Sequence, residues 1–248
     1  MYFLSSDRVH GTNTQNQEII NPVSLERYVI TTGDGSKTIH LKEWNENYHS
    51  THGAIQETKH VFIRHGLLFF IENFKEQTPI SILEIGFGTG LNAFITLIEA
   101  ENQHVAIDYL GVEAFPVKSS ELKELNYSEQ LSADLNTFER LHRTSWEEKH
   151  AITDNFFLTK QKKLFFEIED WEQFDIIYFD AFGARVQPEL WTETIFKKMH
   201  DALKPQGILV TYSAKGSVRR AMQSVGFLVE KLPGPPGKRE MLRAKKDA

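Results

Sequence analysis

No cysteine occurs anywhere in the 248 residues, and this absence removes three chemistries at once. There is no thiolate metal site, no disulfide and no cysteine nucleophile. Long apolar runs are missing too: none approaches the roughly 18 residues a membrane helix needs. The N-terminus also lacks a charged-then-apolar leader pattern, so a soluble cytoplasmic chain is expected, with no membrane partner. There is no internal repeat and no low-complexity tract. Excess positive charge is absent overall, since the net charge is −6. That total hides an asymmetry. Residues 197–248 carry 12 Lys and Arg against 4 Asp and Glu, net +8, and residues 1–196 carry 16 against 30, net −14. Such a split points to one surface for an anionic partner and does not exclude RNA. The length suits one α/β domain with extensions, large enough to bury a substantial core.

The most informative segment is Glu84-Ile-Gly86-Phe87-Gly88-Thr89-Gly90-Leu91-Asn92, directly after the apolar run Ile80-Ser-Ile82-Leu83. It reads as a buried strand, a glycine loop and a helix. Glycines spaced by two let the backbone turn sharply and let a ligand lie against it without meeting a Cβ. The sixth position of the loop is Leu91, where a dinucleotide fingerprint has Gly or Ala. Glu84 would repel a pyrophosphate but suits a cationic amino acid, and S-adenosylmethionine carries an ammonium and a sulfonium with no phosphate. The loop therefore favours a methyltransferase over a dehydrogenase. A second apolar strand, Val105 to Val112, ends in Glu113, 23 residues beyond Gly90. An acid at that strand tip is placed to hydrogen-bond ribose hydroxyls. Without a cysteine, a methyltransferase of this kind would have to act on a nitrogen or oxygen that is already nucleophilic.

Along the chain, Asn13 to Gln17 is expected to be the least structured stretch. Segments 26–32 and 38–41 flank Gly33-Asp-Gly35-Ser36, a hairpin signal. Residues 47–53 read as a loop. Val61, Phe62, His65, Leu68 and Phe69 make a helical stripe over about 55–75. Strands are then expected at 80–85, 105–113, 155–160, 163–168, 174–180, 207–212, 226–231 and 239–244. Helices are expected at 91–100, 116–126 (opened by Pro116), 133–143, 188–203 and 216–224. The alternation predicts a mostly parallel, doubly wound, Rossmann-like α/β sheet with ligands at the carboxyl ends of its strands. A terminal hairpin on that sheet fits class I methyltransferases. Residues 1–46 are expected to form an N-terminal extension with a β-hairpin and 47–248 the methyltransferase domain.

The strand 174–180 ends in Asp180-Ala-Phe182-Gly183, at the edge where Glu84 and Glu113 also point. A carboxylate there can take a proton from an amine while the ring of Phe182 stacks on a planar base. An aliphatic amine has a pKa of roughly 10, judged from lysine. It must lose a proton before taking a methyl group, which a carboxylate acceptor and a partly dry pocket both assist. His49, His52, His60 and His65 lack a companion acid cluster with metal-ligand spacing. They read as structural or surface residues, and no metal is expected.

These residues match a known family. Glu84 to Asn92, Phe179 to Phe182, Gln187 to Thr192 and Lys204-Pro-Gln-Gly207 resemble the methyltransferase domain of the tRNA 5-methylaminomethyl-2-thiouridine biosynthesis (MnmC) proteins. So do Thr211-Tyr-Ser213, Val218-Arg-Arg220, Gly226-Phe227 and Gly237-Lys-Arg-Glu-Met-Leu242, with Tyr48-His-Ser50, Gly53-Ala54 and Glu57-Thr58 before the first helix. The resemblance spans about residues 47–243, and the Val-Arg-Arg and Gly-Lys-Arg-Glu-Met-Leu segments are its most specific parts. It implies S-adenosylmethionine-dependent methylation of the aminomethyl nitrogen of a modified wobble uridine, with tRNA as partner. It further implies cofactor contacts from Glu84, Gly86, Phe87, Gly88, Gly90, Asn92, Glu113 and Asp180. Asp180 and Phe182 would face the acceptor, and Lys215, Arg219, Arg220, Lys238 and Arg239 would meet tRNA phosphates. The family's Gly-Asp pair ahead of the fourth strand aligns here only with Phe166-Glu167-Ile168, which leaves Glu167 to face the adenine. Many members carry a second, FAD-binding domain, and its activity is expected to be absent from this chain. Two other readings stay open on the residues. One is an enzyme acting on a small-molecule or protein amine, an aminopropyltransferase included. The other is an RNA-binding module with a vestigial cofactor site, against which the intact glycines and three strand-end acids weigh.

Overall fold

The polar turn Gly33–Ser36 folds the chain back on itself, because the Asp34 carboxylate accepts the Ser36 N–H at 3.0 Å and closes the bend. The strands on either side, β1 (Arg27–Thr31) and β2 (Lys37–Leu41), pair antiparallel with Thr31 opposite Lys37. A two-residue strand, β3 (Glu46–Asn47), adds to β2 and makes a three-stranded sheet. The expected boundary between residues 46 and 47 falls inside β3. The structure, a computed structural model, describes residues 25–74 and 78–247. The stretch Asn13–Gln17 lies outside the described residues.

Residues 54–73 form one continuous helix, α1. Its ends, Ala54–Thr58 and Phe69–Asn73, are wound as α-helix, and its middle, Lys59–Leu68, has the wider π spacing. This changes the buried face from the one expected. Val61 and Phe62 are buried as the 3.6-residue period requires, but the rest of the face is Ile63, Gly66, Leu67 and Phe70. His65, Leu68 and Phe69 are only half-buried. Hydrogen bonds to the fifth residue back rotate successive turns less, so Phe62 aligns with Leu67.

β4 (Ile80–Ile85), α2 (Leu91–Gln103) and β5 (Ile107–Val112) then form the expected strand, helix and strand. The expected helix at 116–126 shrinks to one turn, Ser119–Leu122, followed by another at Tyr127–Gln130, and Pro116 lies ahead in irregular chain. Between the two turns, the Asn126 side chain accepts the N–H of Lys37 (2.9 Å) and donates to the Gly35 carbonyl (3.0 Å). Docking onto the hairpin replaces helix continuation. α3 (Leu135–Arg143) is capped by Asp134, whose carboxylate accepts the Thr137 N–H at 2.9 Å.

A short edge strand that was not expected, β6 (Lys149–Ala151), pairs antiparallel with β7 (Phe156–Gln161). The strand expected at 163–168 is instead a 3₁₀ turn, Phe165–Glu167, closed by the Glu167 carboxylate on the Leu164 N–H (2.7 Å). β8 (Phe174–Phe179) follows. The helix expected over 188–203 is split into a 3₁₀ turn, Pro188–Trp191, and α4 (Glu193–Ala202), because Thr192 between them adopts extended backbone as the cap. β9 (Leu203–Thr211), α5 (Gly216–Ser224), β10 (Leu228–Pro233) and β11 (Glu240–Lys245) complete the chain.

The eight-stranded sheet runs β10-β11-β9-β8-β4-β5-β7-β6. The five strands from β9 to β7 are parallel, and both edges are antiparallel. β8 is buried at every position, as a central strand covered on both faces must be. One face packs under α1, α2 and α3 through Phe62, Phe94, Tyr109 and Phe138. The other packs under α4 and α5 through Phe179, Phe196, Val218 and Met222. From β4 the chain builds outward to β5 and β7, then returns to β8 and β9 on the other side. The strand order reverses between β4 and β8, which opens a crevice at their carboxyl ends.

Candidate active site

The glycine loop occupies that crevice. Gly86 sits at φ +91°, and a Cβ there would stand 2.8 Å from the Asp180 carbonyl oxygen. Only glycine lets β4 and β8 close at this point. The loop's own amides are engaged internally. Gly86 and Phe87 N–H both donate to the Val112 carbonyl (3.0 and 3.1 Å), and Gly90 N–H donates to that of Phe87 (2.8 Å). Gly88 N–H donates to Glu113 Oε2 at 3.0 Å. Four amides spent in this way do not form a phosphate cradle. The loop presents a carboxylate where a dinucleotide site would present free N–H groups.

A cavity of about 370 Å³ opens beside the loop, within the size range of a small-molecule site. Of the expected cofactor residues, Gly86, Phe87, Gly88, Asn92, Glu113 and Asp180 line it. Glu113 Oε1 also accepts the Phe115 N–H at 2.9 Å, and burial raises its pKa above the usual carboxylate range. Glu84 and Gly90 lie behind the wall. Glu84 is buried at 1 % exposure, and burial pushes its carboxyl well above the ordinary range. It therefore does not meet a cationic ligand directly. Its Oε1 accepts the Asn92 Nδ2 at 2.8 Å, and the same Nδ2 donates to Asp180 Oδ2 at 2.8 Å. The two acids share one amide, and Asn92 fixes the Asp180 rotamer from beneath. Glu167 is exposed and closes its own turn. Leu164, Phe165 and Phe166 line the cavity in its place, because the segment turns where a strand was expected.

Asp180 lies on the cavity side of β8's carboxyl end. Burial, with a smaller contribution from the Glu57 charge, pushes its pKa up to about 7, and the Asn92 bond opposes the rise. Phe182 stands edge-on to Trp44 (5.5 Å between ring centroids) and Tyr48 (5.0 Å), so three rings form one aromatic wall. Tyr212 completes the opposite side, its hydroxyl donating to the Ala181 carbonyl at 2.8 Å.

The segment from β3 to α1, expected as a plain loop, supplies much of the cavity lining: Glu46, Tyr48, His49 and Glu57 all face it. It is latched at its β3 end. Arg27 pairs with Glu121 at 2.5 Å and donates to the Tyr48 hydroxyl at 3.2 Å, while Arg185 pairs with Glu46. His49 is buried, hydrogen-bonded to Thr89 Oγ1 at 2.7 Å, and pushed down to about 4 by burial, so it is neutral at physiological pH. The His60 and His65 rings meet edge-on at 4.8 Å. Among the described residues, no group of three or more His, Cys, Asp or Glu is arranged to hold a metal.

The basic residues divide. Lys215, Arg220 and Arg239 are exposed and Arg219 is half-buried. Arg239 and Arg219 both act on Glu240, whose pKa is lowered first by its bond to Lys231, so α5 and the β10–β11 turn share one charged surface. Lys238 departs from expectation. It is turned into the cavity, its Nζ 2.5 Å from Glu57 Oε1 and 3.9 Å over the Tyr212 ring. Much of the positive excess of residues 197–248 is likewise spent in ion pairs. Lys204, Lys246 and Lys238 reach back to Asp175, Glu172 and Glu57 in the acidic part of the chain.

The donor set fits S-adenosyl-L-methionine: two carboxylates, a loop whose Gly86, Phe87, Gly88 and Gly90 amides are already engaged, and a wall of aromatic and aliphatic side chains. A family model described as an S-adenosyl-L-methionine-dependent methyltransferase matches residues 123–247. Among curated relatives, the tRNA 5-methylaminomethyl-2-thiouridine biosynthesis bifunctional protein MnmC of Leptospira borgpetersenii serovar Hardjo-bovis (strain JB197) is 30 % identical over 220 residues. The match covers 82 % of this chain and 32 % of that protein. The protein of the same name from Marinomonas sp. (strain MWYL1) is 29 % identical over 241 residues, 90 % of this chain and 34 % of its own length. The chain thus spans about a third of the curated relatives it matches. The crystal structure of MnmC2 from Aquifex aeolicus superposes with a TM-score of 0.72 at 28 % identity, covering 92 % of this chain and 72 % of that one. Spermidine synthase from Thermotoga maritima, at 13 % identity and a TM-score of 0.50, shares the fold alone. The expected class I fold and cofactor are thereby established, and the chain belongs to the S-adenosyl-L-methionine-dependent methyltransferase family.

Proposed function

We propose that this methyltransferase N-methylates the aminomethyl group of 5-aminomethyl-2-thiouridine at the wobble position of tRNA, in the cytoplasm. The observation that carries the reading is Asp180: a carboxylate held by Asn92, beside the glycine loop and across from an aromatic wall. Relatives named for biosynthesis of the methylated nucleoside supply the substrate.

Bound S-adenosyl-L-methionine supplies an electrophilic methyl group on a sulfonium. Gly86 and Gly88 give it room against the backbone, and Glu113 offers acceptor oxygens to its ribose hydroxyls. Asp180 performs the acid–base task. The acceptor arrives as an ammonium with a pKa of roughly 10, and Asp180 takes its proton and orients the nitrogen lone pair. A base with a pKa of about 7 is about half ionised at neutral pH and is a good proton acceptor in that form. Phe182 and Tyr48 line the cavity and offer apolar ring surface to the uracil, Trp44 backs Phe182 edge-on, and positioning supplies much of the remaining acceleration. Exposed Lys215, Arg220 and Arg239, with Arg219, meet phosphates of the tRNA.

Nucleoside analysis of tRNA from cells lacking the protein tests the reading. The methylaminomethyl nucleoside should vanish, the aminomethyl precursor should accumulate, and purified protein with cofactor should restore the methyl group. An unchanged nucleoside profile would overturn it.

A further inference from the structure

Two charged side chains in the cavity wall, Glu57 and Lys238, are given no role in the mechanism above. Glu57, on α1, is buried at 6 % exposure. Its Oε1 pairs with Lys238 Nζ at 2.5 Å, and its Oε2 accepts the Ser50 N–H at 2.8 Å. Lys238, 181 residues away on the β10–β11 turn, lies over Tyr212, whose hydroxyl is bonded to the residue after Asp180. Glu57 is buried and Lys238 half-buried, and taking charge out of water is expensive, so such a pair adds little stability over an apolar one. Its place in the cavity wall, one ring away from Asp180, calls for another explanation.

We propose that Glu57 and Lys238 are positioning residues that set the charge environment of Asp180. Glu57 presents a negative charge to it, and Lys238 cancels most of that charge. The proposal rests on the methyltransferase reading of Asp180 above. The charged and titratable groups facing this corner include Glu57 from α1, Lys238 from the β10–β11 turn, Tyr212 after β9, Glu46 from β3, His49 ahead of α1, and Glu84 beneath Asn92 with Tyr109 of β5 beside it. Glu46 is paired with Arg185, and burial pushes the Glu84 carboxyl and the Tyr212 hydroxyl well above their usual ranges, disfavouring the charged form of each. Glu57 and Lys238 are therefore the two fixed charges that bear on Asp180. The Glu57 charge raises the Asp180 pKa and Lys238 lowers it, with Glu57 the larger of the two.

Opposite signs make the idea testable without tRNA. The Asp180 carboxyl can be followed by ¹³C NMR titration of the full-length protein, its resonance assigned by loss in Asp180→Asn. Lys238→Met should move the Asp180 midpoint up by about one pH unit or more, and Glu57→Gln should move it down by a similar amount. Lys238→Arg should leave it near its original value. The double variant should return close to wild type and, if anything, slightly below. The acid limb of methyl transfer to tRNA isolated from cells lacking the protein should move in the same directions. The salt dependence of tRNA binding should not change in Lys238→Met, which separates this role from a phosphate contact. Equal shifts of one sign in both single variants, or an unmoved midpoint in a folded Glu57→Gln protein, would overturn the proposal. Should wild type fail to methylate that tRNA, the substrate assignment fails, and the titration still decides the role of the pair.

Discussion

Replacing Asp180 by Asn should make the enzyme more stable and nearly inactive, and both effects should depend on pH. The carboxyl's pKa is raised from 3.8 to about 7 in the folded state, chiefly by burial. Below about pH 4 the group is protonated in folded and unfolded chains alike and costs nothing. As pH rises toward 7 the unfolded chain ionises freely while the folded one resists, so stability is lost across that window. The distance from 3.8 to about 7 corresponds to about 4 kcal/mol. Because the carboxyl borders an open cavity, about half of this, about 2 kcal/mol, is the figure to expect. The substituted carboxamide keeps the shape, and its carbonyl can still accept the Asn92 Nδ2, while the ionisation cost disappears. Urea unfolding should show Asp180→Asn gaining about 2 kcal/mol over wild type between about pH 4 and pH 8, roughly 4–8 °C in Tm. Methyl transfer at neutral pH should fall roughly a hundredfold or more, and the defect should shrink as pH approaches the amine's own pKa. Cofactor affinity should largely survive. A stability difference that is the same at both pH values would refute the strained carboxylate, and near-normal turnover would remove Asp180 from the mechanism.

Glu113→Ala should weaken S-adenosyl-L-methionine binding at least tenfold in calorimetry, since a charged hydrogen bond is worth about 1.5–3 kcal/mol. Unchanged affinity in a folded protein would reassign the ribose contact. Gly86→Ala should destabilise the fold by about 1–3 kcal/mol and impair cofactor binding, because the added Cβ meets the Asp180 carbonyl at 2.8 Å from a positive-φ position; thermal unfolding and calorimetry check both. Replacing Lys215, Arg219, Arg220 and Arg239 together should weaken tRNA binding and flatten its salt dependence while leaving cofactor affinity alone. An unaltered salt slope would move the tRNA surface elsewhere.

The local pattern of the chain was enough for most of the architecture. Periodicity and glycine spacing are short-range signals, so the strand, loop and helix around Gly86 to Gly90, helix α5 and the hairpin at Gly33–Ser36 fall where the residues place them. Acids at the ends of β4, β5 and β8 could be picked out because parallel strands bring their carboxyl ends to one edge. What the sequence could not decide depends on contacts between distant segments. Asn126 cuts a helix short because it bonds to the hairpin about 90 residues earlier. The π winding of α1 rotates its buried face away from the 3.6-residue stripe. Glu84 is directed onto Asn92, and the segment around Glu167 becomes a turn instead of a strand. Lys238 lies in the most basic and most specific stretch of the chain, which marked it for phosphate, and only tertiary packing shows Glu57 waiting 2.5 Å away. Residue type and spacing establish which chemistry is available at the edge of this sheet. Which charges face the ligand, and which cancel one another, is decided only when elements far apart in sequence are buried against each other, because burial and proximity together determine the charge a group carries.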